Sequence, residues 1–234
     1  MSGTVTVFKK ELKGFFFSPI AYIVITTFLL ISGWFFFSTF FLYNQAELRN
    51  FFIQLPLIFS FVIPAVTMRL FSEELNGGSF ELLSTLPLND TDIVVGKFLA
   101  ALAFVALMLL PTFAYAVTVS RLGDLDWGPV IGGYGGALLL AGAYIGIGLF
   151  ASSLTKNQII AFIIGMASCF ALTVLDRILF FVPEGVLGFF AYLASSTHFQ
   201  TIARGIIDTR DLIYFFSIMF VSLYATALVL KEKR

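Results

Sequence analysis

Side chains able to do covalent or metal chemistry are scarce in this 234-residue chain, which holds one histidine, His198, and one cysteine, Cys169. Neither a Cys/His zinc set nor an H-E-x-x-H helix can be built from them. His198 precedes Asp208 and Asp211, so a Ser–His–Asp relay can be drawn by order alone. No glycine-flanked nucleophile elbow accompanies it, and His198 reads as a capping or packing residue. Cys169 lies alone in an apolar run, which excludes an intrachain disulfide and suits a small apolar filler. The only Gly-Lys pair, Gly96-Lys97, is followed by Phe98 and preceded by Thr91 where a phosphate loop needs its first glycine. ATP is not held by such a loop, and no catalytic, metal or cofactor site is expected on this chain.

The densest group of polar residues runs from Arg69 to Lys97. Glu73, Glu74 and Glu81 carry charge there, and Phe80, Leu82, Leu83 and Leu86 carry apolar bulk. Gly77-Gly78 offers a hinge or cap, and Pro87 with Asn89-Asp90 a stop and a new start. A short amphipathic helix around Ser79–Leu86 is the kind of element a soluble partner grips in a groove. An ordinary solvated loop fits the spacing equally well.

What must position this segment is a membrane. Apolar residues make up 59% of the chain and charged residues 12%, with formal charge balanced at zero. Six uncharged runs reach or approach the roughly 20 residues of a spanning helix: Gly14–Ala46, Phe51–Met68, Phe98–Ser120, Trp127–Thr155, Asn157–Leu175 and Leu212–Leu230. Lipid offers the backbone no hydrogen bonds, so each run is expected to be helical. The expected fold is all-α: a polytopic membrane protein, one domain over residues 1–234, with six transmembrane helices. Placing the N-terminus inside puts nine basic residues in the cytoplasm (Lys9, Lys10, Lys13, Arg69, Lys97, Lys156, Lys231, Lys233, Arg234) and five outside (Arg49, Arg121, Arg177, Arg204, Arg210). Both termini are therefore expected to be cytoplasmic, with the chain in the inner or plasma membrane.

A seventh uncharged stretch, Gly185–Ala203, carries Ser195, Ser196, Thr197, His198 and Gln200. If it crossed, the basic tail would lie outside. It reads as a re-entrant or interfacial part of an outer segment, 176–211, between spans five and six. Residues 1–17 read as an amphipathic helix at the inner interface, not a cleavable signal. Val5, Phe8, Leu12 and Phe15 make its apolar stripe and Lys9, Lys10 and Lys13 fall elsewhere. In the fourth run Gly128, Gly132 and Gly136, then Gly142 and Gly146, recur at four-residue spacing, a pattern that lets helix backbones meet closely. Spacing leaves open whether the meeting is within the chain or across a dimer. Aromatics crowd the first span, among them Trp34, Phe35, Phe36, Phe37 and Tyr43, as in an interfacial belt. The six runs hold no ionisable Asp, Glu, Lys, Arg or His. Ion-coupled transport leaves such groups within spans, so driving energy is expected from a partner.

The basic amphipathic start, six spans, the Glu-Glu/Gly-Ser-x-Glu-Leu-Leu-x-x-x-Pro loop and the Asp92-Ile-Val-Val-Gly96-Lys97 return resemble permeases of the type-2 ABC exporter family. The turn Ala151-Ser-Ser-Leu-Thr-Lys156-Asn-Gln158 resembles that family's second cytoplasmic loop. His198-Phe-x-x-Ile-Ala-Arg204-Gly205-Ile-Ile-Asp208-x-Arg210-Asp211-Leu-Ile-Tyr214 resembles the segment before the last span in its gliding-motility-associated branch. The resemblance implies a non-catalytic permease subunit of an ATP-driven exporter, paired with a second permease, identical or related. Separate ATPase subunits would hold ATP and Mg. Glu73, Glu74, Gly77, Gly78, Ser79, Phe80, Glu81, Leu82, Leu83 and Pro87 would form the ATPase-coupling loop within 69–97. Leu154, Thr155, Lys156, Asn157 and Gln158 would make a secondary contact. An extracytoplasmic accessory protein and membrane lipid complete the expected partners; nucleic acid is not among them. Other branches with this architecture serve haem, copper-site maturation or drug export. The alternative in another class is a membrane scaffold that passes ATPase motion to an extracytoplasmic partner without moving a solute. A membrane enzyme comes third.

Overall fold

The computed structural model describes residues 3–43, 47–79, 89–178 and 192–233. Helix is the only regular secondary structure among them. Helix α1 (Gly3–Phe17) turns at Ser18 into α2 (Pro19–Tyr43). Helices α3 (Arg49–Thr67) and α4 (Arg69–Asn76) are separated by a bend at Met68. Helix α5 (Asp90–Leu109) passes through a 3-10 turn, Leu110–Thr112, into α6 (Phe113–Leu122). There follow α7 (Trp127–Leu154), α8 (Gln158–Ile178), α9 (Ser195–Ala203) and α10 (Thr209–Glu232). Six segments are long and apolar enough to cross a membrane: Pro19–Ser38, Arg49–Asn76, Asp90–Leu122, Trp127–Leu154, Gln158–Arg177 and Thr209–Glu232.

The second, third and fourth spans form the centre, with 61–72% of their apolar windows buried, against 22–28% for the first, fifth and sixth. The central helix is α7. At 28 residues it is about 42 Å long, more than a hydrocarbon core needs. Its glycines let neighbours in on several sides. A Cβ on Gly132 would collide with the Ile202 carbonyl at the end of α9, and one on Gly136 would press on Ile202 and Phe199. Gly142 and Gly146 face Met219 and Ser222 of α10, Gly133 faces the Phe52 ring and Gly148 faces Thr67, both of α3. Gly128 differs: a Cβ there would meet only its own capping Asp126, though its backbone lies against Gly205. Its amide is bound by the N-capping Asp126 carboxylate at 3.0 Å.

The breaks have local causes. Pro111 removes an amide and crowds the preceding turn, and the chain tightens to 3-10 there. Thr112 restitches it by donating to the Leu109 carbonyl at 2.7 Å and meeting the Tyr134 hydroxyl at 3.0 Å.

Two boundaries differ from the run-length reading. The second span continues past Met68 as α4, and the third begins at Asp90, not Phe98. Residues 69–97 are therefore not one loop: within the described residues both of their ends are helical. Charged side chains ended the apolar runs in the sequence, but pairing with α1 lets the helices run on. Helix α1 packs on the bundle. It runs alongside α5 in the same direction, with Thr4 on Asp92, Val7 on Gly96, Glu11 on Lys97 and Phe15 stacked on Phe104. Its inward face is Thr4, Val7, Glu11 and Phe15, with Phe8 and Leu12 partly buried beside it; Val5 is exposed.

Candidate functional site

The end of the bundle that carries α1, α4 and the last turn of α10 gathers the charges. Lys97 sits two turns into α5 on the stripe Ile93, Lys97, Ala100, Ala101 and Phe104, all buried. Its side chain is 1% exposed and its ammonium has three acceptors: Glu74 Oε1 at 2.9 Å, Glu11 Oε1 at 3.0 Å and the Leu70 carbonyl at 2.7 Å. The Phe71 ring lies beneath it, 5.1 Å from ring centre to Nζ. A buried ammonium is tolerated only when its donors are spent in this way. Lys10 completes a neutral quartet, 3.2 Å from Glu74 and 3.5 Å from Glu11. Partial burial works against its charge, yet the Glu74 and Glu11 carboxylates outweigh that and raise its pKa above the ordinary lysine value. Arg69 donates to Ser18 Oγ at 3.1 Å and lies over the Phe15 ring. One network thus ties α1, α4 and α5. A polar cleft of roughly 510 Å³ opens beside it, lined among others by Lys10, Glu11, Arg69, Glu73, Glu74 and Lys97.

From this network α4 leads to the expected coupling residues. Glu73 is exposed, and Glu74 turns inward to Lys97. Gly77 caps α4 through its amide to the Glu73 carbonyl at 2.9 Å, and Gly78 has φ +69°. That left-handed C′ position suits glycine because a Cβ is strained there. Ser79 is exposed. Phe80, Glu81, Leu82, Leu83 and Pro87 lie outside the described residues, as does the helix expected around Ser79–Leu86 beyond its first residue.

The second expected contact lies at the same end. Thr155–Asn157 join α7 to α8 in a tight turn: Thr155 Oγ1 accepts from the Asn157 amide at 3.1 Å, and Asn157 Oδ1 from the Ile159 amide at 2.9 Å. Leu154 and Lys156 are exposed, and Gln158 opens α8. Ser152 Oγ reaches the bend at Met68, and Lys233 Nζ donates to the Ser153 and Leu154 carbonyls at 2.6 and 3.3 Å. Burial, with the Lys156 ammonium near, lowers the Lys233 pKa from the ordinary lysine value.

Over residues 16–231 the chain matches the family described as ABC-2 family transporter protein. The chain belongs to the ABC-2 transporter family. Membership makes it a membrane permease component. No curated protein matches the chain. The family match begins in the last turn of α1, so Lys97 and Glu74 fall inside it while Lys10 and Glu11 precede it.

In this ABC-2 protein the histidine is part of a packing clamp. His198 Nδ1 lies 2.6 Å from Asp211 Oδ1, Nε2 lies 3.1 Å from the Tyr192 carbonyl, and the ring stacks on Tyr214 at 4.2 Å. Neighbouring serines turn elsewhere, Ser195 to Tyr144 at 2.6 Å and Ser196 to the Thr173 carbonyl at 2.9 Å. No serine hydroxyl meets the imidazole among these contacts. The clamp fixes α9 between α7, α8 and α10.

The sequence reading missed Lys97 and Glu11 as a paired centre. One signal was present: a lone lysine on the apolar stripe of a helix, directly after a glycine that Val7 packs against.

Proposed function

We propose that this chain is the transmembrane permease subunit of an ATP-driven ABC exporter, with separate ATPase subunits docking on the end that bears α1, α4 and the Leu154–Gln158 turn. That end faces the cytoplasm in this reading, as the nine-to-five distribution of basic residues favours. The observation that carries the proposal is the Lys97 quartet. It fastens α4, whose Gly77-Gly78 end leads into the coupling segment, to a helix that continues through the membrane. A push on α4 is thereby passed to the third span and, through Glu11, to α1 and the first span. ATP closure of a partner would supply the push, since membership of the ABC-2 transporter family implies partnering with ATPase subunits. A second permease copy and an extracytoplasmic partner belong to the same proposal.

The test is purification of the tagged chain from its native membrane, followed by an ATPase assay of the eluate. A stoichiometric ATP-hydrolysing subunit is expected, retained by wild type and lost when Glu73 is reversed to Lys together with Glu81→Lys. A chain that comes away alone contradicts the proposal. Stimulation of that ATPase by a solute separates export from force transmission to a protein partner.

A further inference from the structure

We propose that Ser152 is a positioning residue that pins the bend at Met68 to the end of α7. The two surfaces assigned above to the ATPase, α4 and the Leu154–Gln158 turn, then move as one body. What moves them rests on the coupling reading of the preceding subsection; the pin itself rests on hydrogen bonds.

The first turn of any helix leaves backbone amides without intrahelical acceptors. In α4 the N-cap is Met68, whose thioether is only a weak acceptor, and no side-chain cap is present. Ser152, more than eighty positions away, takes that role. Its hydroxyl oxygen accepts from the Phe71 amide at 3.1 Å and the Ser72 amide at 3.0 Å, and its hydrogen goes to the Met68 carbonyl at 2.7 Å. In an unbroken α3–α4 helix the Ser72 amide would bond that same Met68 carbonyl. Ser152 therefore inserts into the ladder at the turn residue that separates α3 from α4. Ser152, Phe71 and Ser72 are fully buried, so the two amides have no water to fall back on, while the Met68 carbonyl also accepts from the Ser72 hydroxyl.

The next two residues of α7 extend the body, because the Ser153 and Leu154 carbonyls hold Lys233 of the last helix. Three successive residues thus join the second, fourth and sixth spans. Ser153 provides an internal control. Its own hydroxyl is equally buried but bonds only the Phe150 carbonyl of its own helix.

The experiment places spin labels at Asn76→Cys and Lys156→Cys, with the native Cys169 buried, in the full chain purified with its ATPase and held in nanodiscs. One narrow distance distribution is expected, unchanged when Mg-ATP and vanadate trap the closed ATPase. It should broaden with Ser152→Ala and stay narrow with Ser153→Ala. A distance that shifts on trapping in wild type, or a Ser152→Ala sample as narrow as the Ser153→Ala control, overturns the pin. If no ATPase accompanies the chain, the coupling reading fails, while the comparison of the two serine variants in the permease alone still decides the pin.

Discussion

A lysine almost wholly withheld from solvent has three protons to place, and Lys97 places them on two carboxylates and a carbonyl, Glu11 from α1 and Glu74 and Leu70 from α4. Removing one member of such a set leaves the others buried and uncompensated, at about 3–5 kcal/mol. Lys97→Met, which keeps the length of the side chain, should lower unfolding stability in detergent by about that amount. Adding Glu11→Gln and Glu74→Gln should recover most of the loss, because the stranded charges are then gone. No recovery in the triple variant would mean that packing, not charge, is what Lys97 supplies. Lys10 gives a pH expectation. Its folded pKa lies above the ordinary 10.5, so its contribution is complete below that value and is lost as pH rises through the raised one. A spin label on the exposed Lys9→Cys position should show α1 equally immobile from about pH 7 to about pH 9, loosening only in stronger alkali. Release of α1 below pH 9 would contradict the quartet.

At the scale of elements, glycine works by letting backbones meet, and the positions differ in how much room they leave. Gly132 faces the Ile202 carbonyl, which cannot turn aside, whereas Gly128 meets only its own capping Asp126. Gly132→Ala should destabilise the protein by about 1–3 kcal/mol, as overpacking does, and Gly128→Ala should stay within about 0.5 kcal/mol of wild type. Thermal unfolding of the two variants side by side checks this. The spans themselves were legible from composition, because twenty apolar residues leave the backbone no other structure in lipid. Their ends were less so. Glu74 and Lys97 interrupt the apolar runs, and run length cannot know that Lys10 and Glu11 of α1 lie opposite them. The α1 stripe was read correctly at three of its four positions. Phe8, Leu12 and Phe15 turn inward, but Val7 and Glu11 lie against α5 where Val5 was expected. A charged residue on an inward face is foreseeable only from its partner. Ser152 was equally hidden: its sequence neighbours mark a turn, and its bonds reach a bend far along the chain.

The whole molecule is a bundle built around α7, with its ionic contacts concentrated at the end that bears the termini and a hydroxyl and histidine clamp holding α9 near the other. The first end carries the family's expected ATPase contacts on two separate stretches of sequence, and Ser152 brings them together. The most direct test of that surface is photo-crosslinking in native membranes from single positions. Probes would replace the exposed Glu73 and Lys156 at this end, and the exposed Asp124 between α6 and α7 at the other. Glu73 and Lys156 are each expected to capture an ATP-binding subunit, with more efficient capture when that subunit is trapped by vanadate, and Asp124 to capture none. Capture of the ATPase from Asp124, or from none of the three positions in membranes where it is present, would contradict it.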